Sequence, residues 1–290
     1  MTRLSVPNQA PGFYRRRVGA MVVTAINDGV LDLPLEILNG IAPEQASALL
    51  TARFRRPTPR ISANAFIVQG GGQTMLIDTG AGAGMGPGCG RLLPNLAAAG
   101  IQPGAIDLVL MTHLHPDHCG GLATAEGAAV FPNAALGLAA AEADFWLNDA
   151  AANAPEPMRP YVLAAQAAVA PYRDRIRLLT TDAAPGITRM ALPGHTPGHS
   201  GYRIGDGADA LLIWGDIMQV PDVQSVRPDV GVGFDVDGAQ AQRSRMMALD
   251  MAATDRLLVA GMHLHFPAFS HVSRNGQGFD LIPEPWMPEV

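Results

Sequence analysis

Six consecutive residues, His113-Leu114-His115-Pro116-Asp117-His118, carry four side chains able to hold a metal ion, directly after the apolar run 108–111. This cluster constrains the fold more than any compositional feature. Successive side chains of an extended segment point to opposite sides, so His113 and His115 can face one way at a strand end. Asp117 and His118 can then reach a second position beyond it. Imidazole and carboxylate gathered this densely suit metal binding better than a solvated surface. The remaining histidines are grouped too: all 8 lie at or after His113, with His195 near His199, and His263 near His265 and His271. The chain is therefore expected to bring separated stretches together into a two-metal site.

The scaffold for such a site is visible in the hydrophobic pattern. Runs at 21–26, 65–68, 75–77, 108–111, 187–192 and 210–214 are short, β-branched or apolar, and bounded by Gly, Asn or Asp, which predicts strands. Stretches 92–99, 139–147, 159–170 and 239–253 are rich in Ala and Leu at helical spacing. Strands and helices alternate in two halves. The first half carries the cluster at 113–118; the second carries Gly194-His195-Thr196-Pro197-Gly198-His199 and then Asp216. Each chemical group follows a predicted strand, as a site at the edge of packed sheets requires. Asn27-Asp28-Gly29 is predicted to turn the first hairpin. The glycine-rich run 80–90 lacks Gly-Lys-Ser/Thr and reads as a mobile loop beside the site, and 151–157 reads as a connecting loop. With 290 residues, 48% hydrophobic and 16% charged, the chain can bury a large core and is expected to form one domain over 1–290.

The formal charge is −6, and all 20 basic residues are Arg. An acidic chain without Lys is a poor electrostatic partner for nucleic acid or an anionic membrane. No run reaches the roughly 20 apolar residues of a membrane span. Arg15-Arg16-Arg17 ahead of 18–26 has the look of an export signal, but the apolar run is short and no small-residue cleavage site follows, so a cytoplasmic location is expected. Cys89 and Cys119 are too few for a disulfide framework; they read as small apolar residues that could bridge only if the fold brings them together.

The motif His113-x-His115-x-Asp117-His118, with His195, Asp216 and His263 further on, resembles the signature of the metallo-β-lactamase-fold hydrolases. The similarity runs from Ala10-Pro11-Gly12-Phe13-Tyr14 through Leu76-Ile77-Asp78-Thr79-Gly80 to His263-Leu264-His265-Phe266-Pro267. Within the superfamily the chain looks closest to the methyl parathion hydrolase group, which includes lactonases and aryl esterases. The resemblance implies an α/β fold of four layers, αβ/βα, with two mixed β-sheets sandwiched between helices. It implies that His113, His115 and His195 hold one ion, that Asp117, His118 and His263 hold another, and that Asp216 bridges them. Nitrogen and carboxylate donors without thiolate suit two divalent ions, Zn²⁺ first, with Mn²⁺, Fe²⁺ or Co²⁺ as alternatives. A shared carboxylate suits ions about 3.5 to 4 Å apart. The absence of a Cys ligand departs from the thiolate-using β-lactamases, and Asp216 departs from those without a bridging carboxylate, so antibiotic hydrolysis is not expected. Asp78 is implied to support a ligand histidine from behind. His199 reads as a structural hydrogen-bonding residue, and His265 as the substitute should His263 not be the ligand.

Two divalent ions sharing one water would ionise it near neutral pH, which makes solvent the nucleophile and Asp117 and Asp216 the catalytic carboxylates. Gly-Xaa-Ser-Xaa-Gly is absent. By resemblance, Trp146 matches an aromatic that walls the leaving-group pocket, Met85 stands where another aromatic is usual, and Tyr161 or Val162 lies near a third. His265 and His271 are also placed at this pocket. An apolar wall favours uncharged substrates. The expected function is hydrolysis of small-molecule esters, lactones first and aryl esters next, with organophosphate triesters as a side activity. The alternatives are a phosphotriesterase as main activity, a glyoxalase-type thioesterase, which would need cations for an anionic glutathione tail, and a metal-binding scaffold without hydrolysis. A homodimer is common in the resembled group.

Overall fold

The computed structural model describes residues 9–148, 154, 156–276 and 278–290, so the connecting loop expected at 151–157 falls largely outside the described residues. Two seven-stranded mixed sheets carry the fold. In spatial order the first comprises β1 (Phe13–Val18), β2 (Met21–Asp32), β4 (Arg60–Gly70), β5 (Gln73–Ile77), β6 (Leu108–Leu110), β7 (Ala135–Ala139) and β8 (Ile176–Leu179). Pairing is antiparallel as far as β5 and parallel beyond it. The second comprises β16 (Gly278–Pro283), β15 (Phe269–Asn275), β14 (Leu258–Ala260), β12 (Leu211–Ile213), β11 (Ser200–Ile204), β10 (Ile187–Ala191) and β9 (Asp182–Ala184). Here only β12 and β14 run parallel. A two-stranded ribbon joins β3 (Leu38–Asn39) to β13 (Gly231–Val232).

Both faces of the middle of the first sheet are covered, which is why 65–68 of β4, 75–77 of β5 and β6 read as unbroken apolar runs. Phe66 and Val68 of β4 face the interior between the sheets, where they meet Tyr202, Ile213, Leu258 and Phe269. Ala65 and Ile67 point the other way, toward Leu92 and Leu96 of α2 (Leu92–Ala98) and Val162, Ala165 and Val169 of α5 (Arg159–Val169). The second sheet is backed by Ala248, Leu249 and Ala252 of α7 (Gly238–Asp255). The four layers are thus helices, sheet, sheet, helix, as expected. Each fully buried Val, Leu, Ile or Phe contributes about 1.5–3 kcal/mol. The start of α7 is set locally: the Asp237 side chain accepts the Gln240 N–H at 2.9 Å. Three further helices, α1 (Pro43–Ala52), α3 (Pro116–Cys119) and α4 (Ala140–Trp146), and the single turn α6 (Pro221–Gln224) lie around the sheet ends. Among the described residues no helix is long and apolar enough to cross a membrane.

One expected turn is not a turn. The first hairpin reverses between Val18 and Met21, and β2 continues through Asn27-Asp28-Gly29 with a register shift there. At this bulge the buried Asp28 carboxylate accepts the N–H groups of Ala81 (2.9 Å), Gly90 (3.2 Å) and Leu92 (2.8 Å). The glycine-rich run 80–90 is therefore pinned to β2 rather than free. A Cβ on Gly29 would come within 2.0 Å of the Gly88 carbonyl oxygen, so glycine permits the close approach. The cysteines do not pair; Cys119 Sγ lies near the Leu114 carbonyl and Cys89 Sγ near that of Val30.

Candidate metal centre

Strand ends deliver the site. His113 to His118 follow β6, His195 follows β10, Asp216 follows β12 and His263 follows β14. Pro116 at the first position of α3 fits a helix start, and that turn brings Asp117 and His118 back toward His113. His115 Nδ1 lies 3.0 Å from His113 Nε2 and 2.9 Å from His195 Nε2. Asp117 Oδ2 lies 3.5 Å from His118 Nε2 and 3.4 Å from His263 Nε2. Asp216 reaches both groups: Oδ2 is 3.4 Å from His195 Nε2 and 3.1 Å from His263 Nε2, and Oδ1 is 3.3 Å from His118 Nε2. All seven side chains meet at one place, and His113–His115–His195, His113–His118–Asp216 and Asp117–His118–His263 can each hold an ion.

The outward nitrogens explain which atoms face inward. Thr112 Oγ1 donates to Asp78 Oδ2 at 2.7 Å, which leaves it to accept from His113 Nδ1 at 3.0 Å. His118 Nδ1 donates to Asp78 Oδ2 at 2.8 Å, His195 Nδ1 to Asp235 Oδ1 at 2.8 Å, and His263 Nδ1 to the Ser62 carbonyl at 2.8 Å. With the proton held outside, each inward Nε2 presents a lone pair. One proton on His115 Nδ1 could bridge to His113 or to His195 but not to both. His118 Nε2 and Asp216 Oδ1 are buried with no hydrogen-bond partner among the described residues. A cation between these atoms removes both conflicts, and nitrogen with carboxylate oxygen is a donor set such ions accept.

The electrostatics agree. Burial, with His118 nearby, holds His113 well below the ordinary histidine range; burial and His195 do the same to His115. At His118 and His263 burial also works against charge, but Asp216 and Asp117 together outweigh it and raise both. Asp216 in turn is held well below the carboxylate range by His118 and His263 despite its burial. The carboxylates thus draw positive charge to His118 and His263.

Several supporting residues had no signal in the sequence. Asp235 fixes His195 and has no pattern around it; Glu142 and the Ser62 carbonyl are likewise unannounced. Asp78, placed behind a ligand by resemblance, touches His118. His199 donates Nδ1–H to the Leu192 carbonyl at 2.8 Å and accepts the Asp216 backbone N–H at Nε2 at 2.9 Å, a structural role that sets the Asp216 backbone. Burial pushes its pKa down to about 4.

Above the cluster lies a cleft of about 70 Å³ walled by Leu31, Leu33, Ile61, Met85, Tyr161 and Phe234 and floored by His115, Asp117, His195, Asp216 and His263. Among the described residues no Arg lines it, and the chain has no Lys. Met85 and Tyr161 thus stand at the pocket, whereas three other expected pocket residues do not. Trp146 is fully buried behind His115, ring centroids 5.4 Å apart, and braces that imidazole instead of facing the cleft. His265 donates to Asp222 Oδ2 at 2.6 Å and lines two neighbouring cavities of about 330 and 300 Å³. The segment after His263 is a series of turns, so two-residue spacing does not put His265 on the same side. His271 lies on β15, pairs with Glu284 Oε1 at 2.8 Å and does not line the cleft.

Residues 58–263 match the family described as the Metallo-beta-lactamase superfamily. Among solved structures, one described as hydrolase AbOPH in the beta lactamase superfamily is 31% identical, with a TM-score of 0.91 over 97% of this chain and 100% of that one. AidC, described as a dizinc quorum-quenching lactonase in complex with the product N-hexanoyl-L-homoserine, is 25% identical, with a TM-score of 0.88 over 95% of this chain and 98% of its own. A probable metal-dependent hydrolase from Staphylococcus aureus shares the fold at 20% identity, with a TM-score of 0.78 over 94% of this chain and 100% of that one. No curated protein matches the sequence. The chain belongs to the metallo-beta-lactamase superfamily and is a hydrolase of that fold, with a His/Asp cluster able to bind metal.

Proposed function

We propose that the chain, acting as one domain, is a two-metal hydrolase of uncharged esters, lactones first and aryl esters second, with organophosphate triesters as a side activity. The observation that carries this reading is Asp216, which touches both imidazole groups on the floor of an apolar cleft. His113, His115 and His195 would hold one ion, Asp117, His118 and His263 the other, and Asp216 both; Zn²⁺ is the first candidate. Bound there, the ions supply Lewis acidity and water ionised near neutral pH.

The chain's own residues do the rest. Thr112, Asp78, Asp235 and the Ser62 carbonyl orient the imidazoles before substrate arrives. Leu31, Leu33, Ile61, Tyr161 and Phe234 exclude bulk water and leave an uncharged acyl group with its carbonyl over the floor. The cleft of about 70 Å³ admits a reacting group and little more, so the remainder of a substrate lies along the wall. An anionic glutathione tail finds no cation among the described residues of that wall. Met85 in place of an aromatic gives a softer surface, which favours a flexible lactone over a rigid aryl phosphotriester. AidC, by its description a lactonase, supports the same order.

The test is a panel assay of metal-reconstituted protein with acyl-homoserine lactones, dihydrocoumarin, aryl acetates, methyl paraoxon and a glutathione thioester, ranked by kcat/KM. Lactones are expected to lead. A thioester ahead by about a hundredfold, or no turnover of any ester, overturns the reading.

A further inference from the structure

We propose that Glu142 is a positioning residue that clamps the two loops carrying His113, His115 and His195, and so sets the affinity for one ion of the pair. The proposal rests on the two-ion reading above. Glu142 sits in the first turn of α4 and is 1% exposed. Its Oε1 accepts the Leu114 N–H at 2.9 Å and the Trp146 indole N–H at 2.6 Å. Its Oε2 accepts the Thr196 hydroxyl at 2.7 Å and the Gly198 N–H at 3.0 Å.

The identity of those donors gives the carboxylate its meaning. Leu114 lies between His113 and His115, Thr196 follows His195, and the Trp146 ring packs against His115. One side chain therefore grips both loops of the three-imidazole group and the ring that braces it. The fold makes room for this grip: a Cβ on Gly198 would lie 2.2 Å from the Glu142 nitrogen, so only glycine lets the His195 loop come close enough. The other group is braced elsewhere, by Asp78 at His118 and the Ser62 carbonyl at His263. Glu142 makes no hydrogen bond to Asp117, His118 or His263.

No other residue type replaces this carboxylate. Four donors need four acceptor sites, which an ionised carboxylate supplies. A glutamine turned either way aims its NH₂ at a backbone N–H, of Leu114 or of Gly198, that cannot reverse. Aspartate is one C–C bond, about 1.5 Å, too short. Removing such an orienting partner costs roughly 10–100-fold in metal affinity.

The full chain is stripped of metal, titrated with Zn²⁺ against a chromophoric chelator, and its ion content measured after dialysis at fixed free zinc. Wild type is expected to take up two ions. Glu142→Gln should weaken one by about 10–100-fold and leave the other within about threefold. Thr196→Val, which removes one donor and keeps the shape, should weaken the same ion by a smaller factor. Glu142→Gln combined with Asp78→Asn should weaken both, because Asp78 directly holds His118, a ligand of the other ion. Should Glu142→Gln not fold, Thr196→Val decides. Folded variants with two wild-type affinities, or with both ions weakened equally by Glu142→Gln alone, overturn the clamp. A wild type that binds fewer than two ions sinks the two-ion reading itself, and the clamp with it.

Discussion

Asp78→Asn changes one buried atom and leaves the backbone at ease. Asp78 is fully buried and has φ 56°, a left-handed conformation that Asn tolerates about as well as Asp. Its Oδ1 accepts the Thr112 N–H at 2.8 Å, and its Oδ2 accepts the Thr112 hydroxyl at 2.7 Å and His118 Nδ1–H at 2.8 Å. The backbone N–H cannot reverse, so Asn keeps its oxygen there and turns its NH₂ toward His118. The NH₂ and His118 Nδ1–H then face each other as donors, while the Thr112 hydroxyl can turn to accept. His118 must either break the contact or move its proton to Nε2, the nitrogen that faces Asp117 and Asp216. Either outcome costs about 1–3 kcal/mol, the cost of a buried donor left unmatched. That range agrees with the 10–100-fold loss of metal affinity, about 1.4 to 2.7 kcal/mol, typical of removing such a partner. The metal-free protein should suffer less, because there a proton moved to His118 Nε2 meets the Asp117 and Asp216 carboxylates, whereas an ion needs the lone pair of that nitrogen. Denaturant unfolding with saturating and with no Zn²⁺ checks this: the stabilisation by zinc should shrink by about 1.4 to 2.7 kcal/mol at equal free zinc. Unchanged stabilisation would refute the reasoning that tautomer control at His118 supports an ion.

His199, held near 4 by burial, protonates in the unfolded chain near 6.5. The unfolded form therefore binds more protons between those values, so this contribution is complete above pH 6.5 and is lost as pH falls toward 4, by about 3 kcal/mol in all. Metal-free His199→Gln should show a shallower loss of stability between pH 7.5 and 4.5 than wild type in denaturant titrations; equal slopes count against this account. Gly215 and Gly276 share φ 60°, but a Cβ on Gly215 meets His199 Nε2 at 2.4 Å while one on Gly276 meets nothing within 4 Å. Gly276→Ala should cost only the backbone strain of about 1–2 kcal/mol, and Gly215→Ala distinctly more, together with metal affinity. Similar melting shifts for the two would show that the His199 contact is unimportant. Phe234→Ala opens the cleft wall and should lower kcat/KM for a hexanoyl ester about tenfold, with little effect on an acetyl ester, because burying an aromatic side chain contributes roughly 1.5–3 kcal/mol. A uniform loss across chain lengths would place Phe234 in the support of the site rather than in substrate contact.

Among the parts of the fold legible in the sequence are strands with both faces buried. Runs such as 65–68 and 75–77 are apolar throughout because each lies between the inter-sheet core and a layer of helices. β15 and β16 escaped notice because their burial fades from one end to the other, and α1 because only Ala46 and Leu50 of its ten residues are buried. The residues that meet at the centre were legible for a different reason: imidazoles and carboxylates at the ends of apolar runs are a statement about chemistry, and residue type alone makes it. Direction is another matter. His265 and His271 stand near His263 in number, yet turns and a strand carry them toward Asp222 and Glu284. Asn27-Asp28-Gly29 has the composition of a turn, but the Asp28 side chain finds three amides more than 50 residues away, and that long-range bonding keeps the strand running. Glu142 shows the same limit most clearly. Its one sequence-near donor, Trp146, is an ordinary same-face neighbour on α4, and the donors that give it its role lie 28 residues before it at Leu114 and 54 after it at Thr196. A ligand announces itself by type, whereas the group that orients a ligand is defined only by distance, and such groups emerge only when the chain is folded.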